Sequence, residues 1–153
     1  MDSARLRRQA TVLQGYSRDV GAADNTKAIA SITSSALAAL FQVPVVVMLV
    51  TEGKVVSVER VGGVEPQEAE FEAAQSALTT GTVVRAGVYP AFASRFDFWP
   101  VATAVGQAVI GLAFDPDERP SAPDTFVDIV RGILALALDR QHFLVGRDAR
   151  PAS

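Results

Sequence analysis

The chain has 153 residues, 49% apolar and 20% charged, with a formal net charge of −3, no cysteine and one histidine, His142. That length and apolar fraction suit one domain with its own core. The missing cysteines remove disulfides, thiolate catalysis, Fe–S clusters, Cys-ligated zinc and thioether-held chromophores, a lone histidine removes imidazole metal clusters, and mild acidity speaks against a nucleic-acid partner held by a basic surface.

The first eight residues carry arginines with no apolar stretch behind them, so they do not read as a signal peptide. Apolar runs reach about seven residues, short of the ~20 that cross a bilayer. A cytoplasmic domain without direct membrane insertion is expected.

Two helices open the chain. In the first, Leu6, Ala10, Leu13, Ser17 and Val20 recur at 4-3-4-3 spacing up to a break at Gly21. Asp24 or Asn25 then caps a second helix with Ile29, Ile32, Ala36, Leu37, Leu40 and Phe41 on one side, ending before Pro44. Val43–Val50 is a β-branched run typical of a strand buried on both faces. Glu52-Gly53 turns it into a hairpin partner, Lys54–Val61. Pro66–Thr80 reads as a third helix, acidic at its start and closed by Gly81. Thr82–Arg85 is a short extended piece, and Phe98–Val105 with Ala108–Phe114 forms a second hairpin about Gly106-Gln107. A polar loop leads to a last helix over Pro123–Phe143. Residues 1–145 thus read as one module and 146–153 as a frayed polar tail. Two hairpins separated by a helix require a mainly antiparallel sheet, so the fold class is α+β, about five strands flanked by helices with the terminal helices packed together.

The last helix carries more apolar surface than one contact needs. Phe126, Ile129, Val130, Ile133, Leu136 and Ala137 form a stripe suited to the sheet, while Leu134, Leu138, Phe143 and Leu144 continue on an adjacent face. Either the core-facing side is wide, or Leu134 and Leu138 join Leu6, Leu13 and Val20 in a helical interface between two copies of the chain. The second reading is preferred.

No catalytic constellation is present in the sequence. His142 lies near the end of a helix without the residues that follow a phosphoacceptor histidine, and reads as a surface or capping residue. Asp115, Asp117, Glu118 and Asp124 lack calcium-loop spacing and are interrupted by prolines, and Gly62-Gly63 lacks the pattern of a phosphate cradle. Neither a metal nor another cofactor is expected. Recognition-type residues do concentrate between the third helix and the last hairpin: Arg85, Tyr89, Phe92, Arg95, Phe96 and Trp99. Aromatic walls with a few charges suit a cleft for a small molecule or ion, and equally suit a small core that pins a long loop to the sheet.

Several strings resemble the GAF domain family, and within it the GAF-type domains of potassium-responsive sensor histidine kinases. They are Ala73-Ala74-Gln75-Ser76-Ala77-Leu78-Thr79-Thr80-Gly81, then Phe98-Trp99-Pro100-Val101 with Val109-Ile110-Gly111-Leu112, and Ile133–Arg140 in the last helix. Ser76 and Thr80 stand where that group has tryptophan and histidine, and the Asn-Lys-x-Asp-Glu pattern of cyclic-nucleotide-binding members is absent. The resemblance implies a regulatory input and dimerisation domain of a kinase that responds to potassium or osmotic state. It further implies a homodimer through the terminal helices, kinase domains of a parent chain as partners, and no autophosphorylation by these residues alone. Any membrane anchor of that parent would lie outside the chain. The alternatives are a free-standing small-molecule-binding regulator and a spacer that binds nothing. A reductase of this fold would need cysteines, which the chain lacks.

Overall fold

Helices α1 (Ser3–Gly21) and α2 (Thr26–Phe41) lead into strands β1 (Val45–Thr51) and β2 (Lys54–Val61). Helix α3 (Glu68–Thr80), strands β3 (Asp97–Ala102) and β4 (Gln107–Leu112), and helix α4 (Asp124–Asp148) follow, with a short 3-10 turn at Pro116–Glu118 before α4. A computed structural model describes residues 3–88, 93–104, 106–118, 120 and 123–148. The strands form one antiparallel sheet in the order β2-β1-β4-β3.

Local chemistry sets the boundaries. Asn25 caps α2 by accepting the Ala28 N–H at 2.8 Å, as its short polar side chain allows. Gln42 takes a left-handed conformation (φ 57°) and closes α2 by donating its N–H to the Ala38 carbonyl, just ahead of Pro44. The β1–β2 turn uses two consecutive left-handed residues, Glu52 and Gly53, which is the twist a two-residue hairpin needs. Helix α3 starts two residues later than Pro66, with the Glu70 carboxylate reaching back to the Gln67 N–H at 2.8 Å. The expected strand Thr82–Arg85 is reduced to one bridge, Val84 with Phe98, because the next backbone donor, Ala86 N–H, is taken by the Asp97 carboxylate. Helix α4 runs past Phe143 to Asp148, so the first residues of the expected tail are helical.

Alternation along the strands divides the core in two. Val45, Val47 and Leu49 of β1, Trp99 and Val101 of β3, and Ala108, Ile110 and Leu112 of β4 face α1, α2 and α4. Val46, Met48 and Val50, with Phe98 and Val109, face α3 and its Ala73, Ala74, Ala77 and Leu78. Gly111 sits between Val46 and Phe98, its partners on the two flanking strands. A Cβ there would lie 2.6 Å from Val46 Cγ1 and 2.7 Å from Phe98 Cε1, so only glycine lets these two side chains close over the strand.

The terminal helices share one side of the sheet. Tyr16 and Val20 of α1 enter the core with Ile29, Leu37 and Leu40 of α2, and the Tyr16 hydroxyl is hydrogen-bonded to Thr33 Oγ1 at 2.9 Å. Arg131 of α4 donates to the Pro100 carbonyl through Nε and Nη2, at 3.0 and 2.6 Å, fixing the helix on β3. Farther along, Arg140 donates to the Gly21 carbonyl and Gln141 to the Asp24 carbonyl, tying α4 to the α1–α2 junction.

Candidate functional site

The structure separates the basic and aromatic residues expected to line one cleft. Phe96 and Trp99 are both fully buried, but Phe96 packs on the α3 side of the sheet and Trp99 on the α4 side. They cannot be two walls of one cavity. The period of a strand is the reason: Phe96 and Trp99 are an odd number of residues apart along an extended segment, so they point to opposite faces. Tyr89 and Phe92 lie outside the described residues.

Arg85 and Arg95 follow the same division. On the α4 side, Arg85 lies 5.8 Å over the Trp99 ring and pairs with Asp124 (3.2 Å) and with fully buried Asp97 (3.5 Å). The Trp99 indole N–H donates to Asp124 Oδ1 at 2.8 Å, so Asp124, the first residue of α4, joins the helix to both β3 and the loop before it. An arginine enclosed by two carboxylates and an aromatic face is a structural cross-brace. On the α3 side, Arg95 grips Glu70 and also donates Nη2–H to the Glu65 carbonyl at 2.7 Å. The Arg95 backbone N–H adds a bond to Glu70 Oε2 at 2.7 Å. Burial alone would raise the Glu70 carboxyl, but the hydrogen bonds from Arg95 and Gln67 outweigh it and hold the group below its ordinary value. The same carboxylate pushes Arg95 up.

The residues expected at an interface between chains are also redistributed. Val20, Leu134 and Leu138 are buried within their own chain, Leu13 is half-buried against the same core, and Leu6 is exposed. The reason lies in the phase of α4: Val127, Val130, Leu134 and Leu138, at 3-4-4 spacing, form the stripe that meets the sheet, about one residue round the helix from the stripe its apolar spacing predicts. In α1 the inward stripe is Gln9, Tyr16 and Val20 rather than the Leu6–Val20 seam. The apolar face that α4 leaves to solvent is Ile129 (44% exposed), Leu136 (74%) and Phe143 (63%), seven residues apart, with Leu144 beside it. The signal for this face was present as the regular spacing of those three residues. His142 is exposed beside it, several residues before the helix ends. Among the described residues no helix is long and apolar enough to cross a membrane.

No family sequence pattern and no characterised protein matches the chain by sequence. In three dimensions it is similar to the GAF domain of the potassium sensor histidine kinase KdpD from Escherichia coli, with a TM-score of 0.72 over 90% of this chain and 98% of that one, at 17% identity. It is similar to the GAF domain of an Acinetobacter phosphoenolpyruvate-protein phosphotransferase (TM-score 0.68, 90% and 97% covered, 14% identity). A third likeness is to the free methionine-R-sulfoxide reductase of Neisseria meningitidis (TM-score 0.66, 88% and 91% covered, 17% identity). The chain has a GAF-like fold.

Proposed function

We propose that this chain is a sensory and dimerisation module of a signalling protein, a sensor histidine kinase of the KdpD kind that responds to potassium or osmotic state, and that α4 is the element that transmits its signal. One observation carries the reading: the outward stripe Ile129–Leu136–Phe143 on a helix of 25 residues whose opposite face is already committed to the core. A seven-residue apolar repeat left in water is the pattern by which helices pair. A helix of that length spans about 37 Å, so its far end lies well beyond the strands it covers. Small shifts between two such paired helices are a bistable element that ligands or neighbouring domains can bias. The structural likeness to the kinase and phosphotransferase domains supports the regulatory class. A chain without cysteine has no thiolate to act as a sulfur nucleophile, which favours regulation over the chemistry of the reductase neighbour.

The test is sedimentation over a wide concentration range. The unaltered chain forms a dimer, and Leu136→Glu, which leaves the core untouched, dissociates it with no change in far-ultraviolet circular dichroism. A chain that stays monomeric at high concentration overturns the pairing. In the intact kinase, autophosphorylation followed against KCl at constant ionic strength loses its potassium dependence in the same variant. An unchanged dependence overturns the signalling role.

A further inference from the structure

We infer that the cleft at one end of the three-helix side binds a small zwitterion with an apolar side group, the simplest being a free aromatic amino acid. The cleft, about 1010 Å³, opens where the first turns of α1, the end of α2, the start of β1, the end of β4 and the first turn of α4 meet. Small-molecule sites commonly occupy ~300–1,000 Å³. It lies across the sheet from α3 and shares no residue with the Arg85 and Arg95 braces.

Gln9 is the residue that marks it. Six polar or charged side chains are buried among the described residues: Gln9, Thr33, Ser34, Glu70, Ser94 and Asp97. Five of them are hydrogen-bonded within the chain. Gln9, at 5% exposure, makes no such bond, yet no unpartnered side-chain polar atom is sealed from solvent among the described residues. Its carboxamide therefore opens into the cleft it lines. A carboxamide offers two donors and two acceptor lone pairs, and a position in the inward stripe of α1 would otherwise be better filled by leucine.

The walls supply what such a ligand needs. Phe41 and Phe114, edge to face at 5.7 Å, and Phe126 from α4 give aromatic surface. Arg5 and Arg8, within one helical turn of Gln9, bring two cations from α1, while Asp115 and Glu118 bring two anions from the loop after β4. None of these four is in an ion pair among the described residues. A carboxylate meets Arg5 and Arg8, an ammonium meets Asp115 and Glu118, the ring lies against the phenyl groups, and the Gln9 amide completes the polar head. Because Phe126 belongs to the first full turn of α4, occupancy bears on that helix directly. The site does not depend on whether α4 pairs with a second copy.

The experiment is a titration of the ¹⁵N-labelled chain with L-phenylalanine, followed at the Gln9 side-chain NH2 and at the backbone amides of Phe41–Val43 and Phe114–Asp115. Saturable shifts are expected at these positions. Phenylacetate, lacking the ammonium, and phenethylamine, lacking the carboxylate, should each bind about tenfold or more weakly, as should the zwitterion to Gln9→Leu and to the Arg5→Ala/Arg8→Ala double variant. Gln9→Leu removes an unpartnered amide and retains the fold, which its spectrum checks. No saturable shift in the unaltered chain, or binding that survives Gln9→Leu, overturns the site. Phenylacetate binding as tightly as phenylalanine overturns the zwitterion assignment.

Discussion

Arg95 holds Glu70 by both carboxylate oxygens, Nη2 to Oε1 at 2.6 Å and Nε to Oε2 at 2.9 Å, and Glu70 is 1% exposed. The pair closes the segment before β3 onto the start of α3. It also serves the helix cap, because the same carboxylate accepts the Gln67 N–H. Removing the guanidinium leaves a buried carboxylate with fewer partners, while the half-exposed position of Arg95 screens part of the interaction.

Arg95→Ala should therefore lower unfolding stability by about 2–3 kcal/mol at neutral pH, and Arg95→Lys by less, since an ammonium keeps the charge beside Glu70 although it loses the two-pronged contact. Urea denaturation of the three proteins gives the comparison.

The same pair predicts a pH dependence. The folded-state value for Glu70 lies below its ordinary 4.5, so its contribution is complete above the unfolded value and is lost as pH falls through the folded one. Denaturation midpoints of the unaltered chain should drop on acidification below about 4.5, and Glu70→Gln should flatten that part of the curve. Equal slopes for the two would show that other carboxylates control acid unfolding.

Tyr16 gives the opposite sign. Burial, only partly offset by the hydrogen bond with Thr33, pushes its phenol up to about 12 from an ordinary 10.0. Its contribution is complete below 10 and is lost as pH rises toward 12. In a Tyr89→Phe background, where Tyr16 is the sole tyrosine, the phenolate absorbance should appear near that pH. Tyr16→Phe should cost about 1 kcal/mol, the usual value for one buried neutral hydrogen bond.

Gly111→Ala should destabilise the chain by about 1–3 kcal/mol, because the added Cβ would press on the fully buried side chains of Val46 and Phe98 and force both to shift. Combining it with Phe98→Leu should cost less than the sum of the two single changes, and a double-mutant cycle by thermal unfolding measures the difference.

Asp124→Ala should remove one of the two carboxylates that hold Arg85, leaving Asp97, and the acceptor of the Trp99 indole N–H. The loss is about 1.5–3 kcal/mol, the range for hydrogen bonds to a charged group. Trp99 is the sole tryptophan, so its fluorescence reports the change directly.

Much of the fold was legible in the sequence because it rests on local rules. The β-branched run Val45–Val50, the Glu52-Gly53 turn, the Asn25 cap and the Gly81 helix end each depend on residues within a few positions of one another. The candidate sites were less legible. Arg85 and Arg95 read as charges lining a cleft because their partners, Asp97 with Asp124 and Glu70, are brought to them only by the sheet and by α3. The sequence pattern turns Ile129 to the sheet and Leu134 to a second face, and the structure reverses them, since a helix with apolar residues on several sides leaves its rotation open until it is packed.

Length, an apolar half and the absence of cysteine settled, without coordinates, that this is one domain-sized chain with no thiol chemistry. Strand and helix periods settled the order of its four helices and two hairpins. Only the tertiary structure decided that Phe96 and Trp99 belong to opposite cores, that the Ile129–Leu136–Phe143 face looks outward, and that Gln9 is buried beside an open cleft. Those three outcomes depend on which surfaces meet across the sheet. Burial and charge pairing arise between residues distant in sequence, where no local period carries the information.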